Sequence, residues 1–382
     1  MTDPFVSQFR PQFPMFAERS YFATQCLGPV LRDTYDDLQE YVGTLALRSR
    51  ALPRYVERFA ELFVLLERLL AAPSGSVAIK GCATSCHAAI AASLQPLPGR
   101  RRILISADDF HSTRYLWAAQ SRRGFAVTDL RPRDDSPVDA EAIIRAIRED
   151  VAVVGVSLVS PRTGALLDAA SVISAARQAG ALVVLDAYQA VGAVPIDVTR
   201  LDADVVIGGV HKWLSGSGMG LAFMYVRPEL AARLDPQFPG WIGDTDFTSF
   251  RPSYTPAAGA RRFMQGTPSF EAIYGARAGI RYVLAAGVDR IRARSLALTA
   301  LLQAGLAADP RIRVRTPTAA AARGGTVCFE VDGDMPAIVA RLASSGIDID
   351  HRPGAGLRAS PHPVATEDEV LALVQAVRDP LP

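Results

Sequence analysis

The chain has 382 residues, 49% hydrophobic and 21% charged, and its 41 basic against 39 acidic residues leave a formal charge of +2. That balance excludes disorder and a fibrous or low-complexity filament, and the lack of a basic block sets nucleic acid aside as a partner. The longest apolar runs, such as 151–156 and 181–185, fall far short of a membrane span, and four cysteines in so long a chain do not make a disulfide framework. The opening Met1-Thr2-Asp3-Pro4 has no basic segment followed by an apolar one, so a soluble cytoplasmic protein without a membrane partner is the expectation.

In chain order, the first thirty residues carry Pro4, Pro11, Pro14 and Pro29 and are expected to be irregular. From 31 to 70 apolar residues recur at helical spacing with an interruption at Pro53, and Pro73-Ser74-Gly75 turns the chain. Short β-type runs stand at 77–80, 102–106, 125–130, 151–158, 181–185 and 204–208, with amphipathic stretches such as 140–148 and 169–179 between most of them. This rhythm predicts an α/β fold, with a mostly parallel sheet covered by helices on both faces. The run 221–226 follows a glycine-rich turn too closely for a helical crossover and is expected to pair antiparallel. After about residue 250 the pattern changes. Helices are expected at 271–286, 288–308, 335–344 and 367–378, and strands at 326–331 and 347–350. The expected organisation is an N-terminal arm (1–30), a large α/β domain (31–250) and a smaller α+β domain (251–382).

Among the 41 basic residues only Lys80 and Lys212 are lysines; the rest are arginine. Where a plain positive charge sufficed, arginine was used, so a remaining lysine is a candidate for work that needs a deprotonated amine. For Lys80 chance survival on the surface is the simpler reading. Lys212 has a more telling setting. Asp186 ends the apolar run 181–185, and His211-Lys212-Trp213 follows the run 204–208. Strand C-terminal ends are where α/β sheets build their sites, so the acid and the lysine are expected to face one crevice. A lysine able to form a Schiff base, beside a buried acid able to keep a pyridine nitrogen protonated, points to pyridoxal phosphate.

The segment from Asp186 through Gln189 to Asp197, then Asp204 and His211-Lys212-Trp213-Leu214, resembles the class V aminotransferases, a family that includes cysteine desulfurases and kynureninases. The resemblance implies fold-type-I architecture, pyridoxal phosphate on Lys212, and a homodimer with a shared active site. By it, Thr84 and Ser85 in Gly81-Cys82-Ala83-Thr84-Ser85 would bind the cofactor phosphate, with His211 adding a contact. Phe110 would stack on the ring, and Gln189 would stand beside the ring oxygen. Gly240-Trp241 and Gly266-Thr267-Pro268 are similar to kynureninase segments that reach the neighbouring subunit's phosphate. Arg358, in Leu357-Arg358-Ala359-Ser360-Pro361, would clamp the substrate carboxylate through its guanidinium fork.

Three departures narrow the chemistry. Kynureninases carry a tyrosine before the lysine, and here it is His211; a kynureninase aspartate is replaced by Thr113; and no cysteine lies between Ser344 and Arg358, where desulfurases place their nucleophile. Cys82, Cys86 and His87 cluster around the phosphate-type turn without a second pair at zinc-site spacing, so no metal is expected. Gly216-Ser217-Gly218-Met219-Gly220 precedes a strand rather than a helix, which disfavours a dinucleotide site. The resulting expectation is an enzyme acting on a small amino acid, transferring its amino group. A Cβ lyase or kynureninase-like hydrolase is the alternative, and a non-catalytic scaffold is the rival of another class.

Overall fold

The computed structural model describes residues 3–132 and 136–379. The N-terminal part holds helix α1 (Pro4–Phe9), strand β1 (Ser20–Tyr21), and helices α2 (Arg32–Leu45) and α3 (Leu52–Leu70). Then come β2 (Val77–Lys80), α4 (Ala83–Ala92), β3 (Arg102–Ser106), α5 (His111–Ala118), β4 (Ala126–Leu130), α6 (Ala140–Ala146), β5 (Val151–Ser157), α7 (Ala169–Gln178), β6 (Leu182–Asp186), β7 (Val205–Gly209), β8 (Ala222–Val226) and α8 (Pro228–Arg233). The C-terminal part has α9 (Phe270–Ala286), α10 (Val288–Ala307), β9 (Ile312–Val314), β10 (Val327–Val331), α11 (Met335–Ser344), β11 (Ile347–Asp348), β12 (Asp350–Arg352), β13 (Gly356–Ala359) and α12 (Glu367–Arg378).

Seven strands form the central sheet in the order β2-β8-β7-β6-β5-β3-β4. Its middle strands are continuous runs of valine, leucine and isoleucine buried on both faces, the pattern expected when helices cover both sides. β8 runs antiparallel to both β7 and β2, as the short turn before it requires. All strands from β3 to β7 run parallel, so their C-terminal ends open on one edge. A second, antiparallel sheet, β12-β13-β10-β9, belongs to the C-terminal part.

The arm is more ordered than its prolines suggested. Pro4 occupies the first turn of α1, and Pro11 and Pro14 occupy the first turns of short 3₁₀ segments; at such positions the missing N–H costs nothing. Pro53 likewise sits in the first turn of α3, and the break between helices falls before it, at 46–51. The arm docks on the C-terminal part. β1 pairs parallel with β11, the N–H of Ser360 donates to the carbonyl of Phe22 at 2.7 Å, and Arg10 pairs with Glu369.

Contacts also cross the boundary expected at residue 250. α9 packs on α2 and α3, and Arg277 and Arg281 meet Asp37 and Glu61 there at 2.8–3.3 Å. The ends of the expected units at 1–2 and 380–382 lie outside the described residues.

Candidate active site

Asp186 is the last residue of β6, and Lys212 follows the end of the neighbouring β7, so the parallel register brings both to one edge of the sheet. The Asp186 carboxylate is buried among donors. Oδ1 accepts the backbone N–H of Tyr188 at 2.9 Å; Oδ2 accepts the Thr113 hydroxyl at 3.1 Å and faces His87 Nε2 at 3.3 Å. Burial works against its charge, but the His87 bond, the Tyr188 N–H and the nearby Lys212 outweigh it and hold the pKa below the ordinary carboxylate value.

The Lys212 ammonium lies 4.7 Å from the centre of the Tyr188 ring and 5.8 Å from that of Phe110. Burial pulls its pKa down to about 8, with Asp186 opposing and Arg358 and Arg352 assisting. His211, half-buried, drops to about 4 through burial and the Lys212 charge, so it is neutral near pH 7. Its Nδ1 lies 3.3 Å from the Tyr188 hydroxyl.

Phe110 caps the start of α5 and leaves 46% of its surface exposed beside Lys212. The turn that presents it is fixed by Asp109, whose two oxygens accept the N–H groups of Ser157 and Ser106 at 2.7 and 3.1 Å, tying β5 to β3. Thr84 and Ser85 lie in the first turn of α4, where the Ser85 N–H donates to the Cys82 carbonyl at 3.1 Å and the Ser85 hydroxyl lies 3.2 Å from Cys82 Sγ. A Cβ placed on Gly81 would meet no atom within 4 Å, so the mouth of this turn is open. Gln189 Nε2 donates to the carbonyl of Gln25 at 3.1 Å, while its buried Oε1 has no partner among the described residues.

The arm forms one wall. The Gly28 N–H donates to the carbonyl of His211 at 2.7 Å, and a Cβ at position 28 would stand 2.0 Å from the Lys212 carbonyl oxygen, so only glycine fits. Gln25 Nε2 donates to the carbonyl of Arg358 at 3.3 Å. Arg358 is buried, its Nε 3.0 Å from Asp350 Oδ2, its Nη2 also on that oxygen, and its Nη1 donating to the carbonyl of Pro161 at 3.0 Å.

Sequence reasoning singled out Lys212, Asp186, Phe110, Gln189, His211 and Arg358, and the structure gathers them with Thr84 and Ser85 around the sheet edge. Trp241 and Thr267 make no described contact with this group, although the neighbouring Phe238 and Gln265 line a small cavity with Ser85. Trp241 and Thr267 are both exposed, their segments joined by the Ile242 N–H to the Gln265 carbonyl at 3.2 Å, and no described hydrogen bond or ring contact links either to Lys212.

Four residues escaped notice. His87 was weighed only as a metal ligand, although its i+3 spacing from Thr84 puts it on the same helix face. Tyr188 lies inside the segment from Asp186 to Gln189 and carries no separate signal in the sequence. Asp350 lies directly opposite Arg358 in the β12–β13 hairpin. Cys26 arrives from the arm, its thiol donating to Asp350 Oδ2 at 3.1 Å and lying 3.4 Å from Arg358 Nη2. Burial and Asp350 raise the Cys26 pKa, so this thiol near Arg358 is held protonated.

A family model described as Aminotransferase class-V matches residues 54–373. A kynureninase of Burkholderia pseudomallei is 30% identical over 99% of this chain and 92% of its own. A kynureninase of Deinococcus radiodurans is 32% identical over 75% of this chain and 69% of its own, and an uncharacterised aminotransferase of Bacillus subtilis is 28% identical over 75% of each. Among solved structures, a cysteine desulfurase of Escherichia coli superposes with a TM-score of 0.84 at 23% identity, covering 99% of this chain and 98% of that one. The cystine C-S lyase C-DES, solved with its product cysteine persulfide, gives 0.86 at 21% identity over 97% and 100%. These likenesses extend the fold-type-I architecture to the whole chain, and the matched family model supplies the assignment: the chain belongs to the class-V aminotransferase family.

Proposed function

We propose that the protein is a pyridoxal-phosphate-dependent enzyme that takes the amino group from a small amino acid. The observation that carries this is Lys212: a lysine with its pKa pulled down to about 8, between two aromatic rings and within the field of the buried Asp186. The other residues fit the cofactor too. The open turn at Gly81 with Thr84 and Ser85 suits a phosphate, the exposed face of Phe110 suits a flat ring, and the buried, unpartnered Oε1 of Gln189 marks a side chain with bonding capacity left over.

When bound, pyridoxal phosphate supplies an electron-accepting ring conjugated to the substrate Cα. Asp186, kept ionised, would hold a proton on the ring nitrogen. Lys212 would anchor the cofactor and could hold or take up the Cα proton, for which an amine near pKa 8 is suited at neutral pH. Arg358 would receive the α-carboxylate of the substrate. Because Asp350 already occupies its Nε–Nη2 edge, an incoming carboxylate has to share or displace that partner.

Single turnover with an amino acid tests the reading. Conversion of the cofactor to pyridoxamine phosphate with one equivalent of keto acid supports amino transfer. The second reading is cleavage at Cβ, and two observations favour it: the near full-length likeness to a kynureninase, and a phenol, Tyr188, that reaches His211 beside the lysine although the tyrosine before the lysine is absent. Alanine plus anthranilate from kynurenine, or return of the starting cofactor spectrum with pyruvate and a released side chain, would establish it.

The depressed amine gives a pH prediction. Well below pH 8, a lysine with pKa about 8 has about 300-fold more free amine than one at the ordinary 10.5. The rate at which apo-protein captures pyridoxal phosphate, followed by absorbance, should therefore level off above about pH 8. A rate still climbing tenfold per unit to pH 10 would contradict it.

We also propose a homodimer in which Trp241 and Thr267 serve the partner's site. The support is that neither makes a described hydrogen bond or ring contact with this chain's own Lys212, together with the exposed aromatic surface of Phe238, Trp241, Phe247 and Phe250 around them. Sedimentation at assay concentration should find a dimer, and an active monomer would sink the idea. No described helix is long and apolar enough to cross a membrane, and the cytoplasm is the proposed location.

A further inference from the structure

Behind Asp186 lies a chain of buried polar groups that the steps above do not use. Trp117 and His87 are fully buried, and Thr113 nearly so. The Trp117 indole N–H has no acceptor capacity, so it donates to His87 Nδ1, 3.3 Å away. With Nδ1 accepting, a neutral imidazole carries its proton on Nε2, which points at Asp186 Oδ2 at 3.3 Å. Protonating the ring fully would set two N–H donors against each other at Nδ1. The tautomer is thus fixed from outside the site, by a residue that touches neither substrate nor cofactor.

Trp117 is itself held by the sheet. Its indole nitrogen would lie only 3.0 Å from a Cβ placed on residue 155, and Gly155 in β5 leaves that space free. Helix α5 thereby delivers two groups to one place: Thr113 donates directly to Asp186 Oδ2, and Trp117 sets the orientation of His87. Two donors meet Oδ2, and the Tyr188 N–H meets Oδ1, leaving one lone pair of Oδ1 as the outlet of the carboxylate.

We propose that His87, oriented by Trp117 as the Nε2–H tautomer, is a positioning residue that locks Asp186 in one rotamer, with Oδ1 presented to the cofactor ring nitrogen. This rests on the pyridoxal-phosphate reading. His87 does no chemistry; it removes the alternative orientations of the acid on which the ring depends. A hydrogen-bonded partner behind a ligating group typically contributes 10–100-fold in affinity or activity at metal centres, and an effect of that order is expected here.

The test uses His87→Phe, His87→Gln and Trp117→Phe in the full chain. In native apo-protein, ¹⁵N spectra of selectively labelled histidine at pH 7.5 should show His87 with its proton on Nε2. A proton on Nδ1, or a cationic ring, would overturn the assignment. Titration of apo-protein with pyridoxal phosphate should show His87→Phe binding roughly 10- to 100-fold more weakly, with kcat falling more than KM. His87→Gln, which keeps a donor, should recover most of that loss, and Trp117→Phe should bind with an intermediate constant and a mixed tautomer.

Native-like binding and spectrum in His87→Phe would overturn the role of His87 alone. Failure of the native protein to bind pyridoxal phosphate would overturn the functional reading and this proposal together. Should His87→Phe not fold, the two milder variants decide: equal cofactor affinity in native, His87→Gln and Trp117→Phe with no tautomer change in the last would refute it.

Discussion

Lys212→Ala should lose turnover by ~10⁴-fold or more, the scale seen when the central nucleophile of an enzyme is removed. It should still fold, because the side chain makes no described hydrogen bond or ion pair and its backbone carbonyl, the part that the arm crowds, is unchanged. Borohydride reduction of the native protein loaded with pyridoxal phosphate should leave a mass tag on the peptide containing Lys212, and the variant should carry none. Lys80 is the informative alternative. It ends β2, lines a small cavity with Ser85 and Gln265, and burial lowers its pKa as well. A tag on Lys80 would move the anchor to that cavity and overturn the assignment.

Asp186→Asn should cost roughly 10³-fold in turnover and weaken cofactor binding, because a neutral amide gives the ring nitrogen no anion to hold its proton. It should also destabilise the fold. His87 and Thr113 both donate to Oδ2, and an amide nitrogen at that place would face two donors, at about 1–3 kcal/mol for each group left unpaired. The pH dependence follows from the direction of the shift. A carboxylate whose folded pKa lies below its unfolded value adds stability that is fully present above the unfolded pKa, near 3.9, and is lost as pH falls through the folded one. The stability gap between native and variant, measured by urea unfolding, should thus be flat from pH 5 to 8 and close only in acid. Unchanged activity in this variant would remove Asp186 from the mechanism.

The sheet was readable because its strands are short, continuous apolar runs separated by amphipathic stretches, and burial on both faces leaves that pattern no alternative in a helix of surface type. The arm was misread for a local reason. A proline excludes a helix interior but favours a helix start, and the sequence does not say which of the two a given proline marks until a partner surface exists. At the site, Asp186 and Lys212 were found because strand ends converge by topology. His87 was missed because its partner is 99 residues away, and next to Cys82 and Cys86 it resembled a fragment of a metal site. Asp350 shows a different failure. The expected strand at 347–350 had no partner at 356–359 in the sequence reading, so the pairing that sets Asp350 against Arg358 could only come from the structure.

The order of synthesis gives the docked arm a further meaning. β1 finds its strand partner in β11, more than three hundred residues later, and Gly28 latches onto the carbonyl of His211 in between. A nascent chain can complete the seven-stranded sheet from residues 77 to 226 while its first strand still waits for an edge to join. Contacts of such sequence separation form late, because loop closure is spent before they contribute. Gly28 can dock on His211 once the sheet is made, whereas β1 has no strand partner until β11 has been synthesised, so the arm is fastened in two stages. Closing the site and completing the C-terminal part are thus one event in the chain's geometry: the strand that fastens the arm belongs to the last third of the sequence.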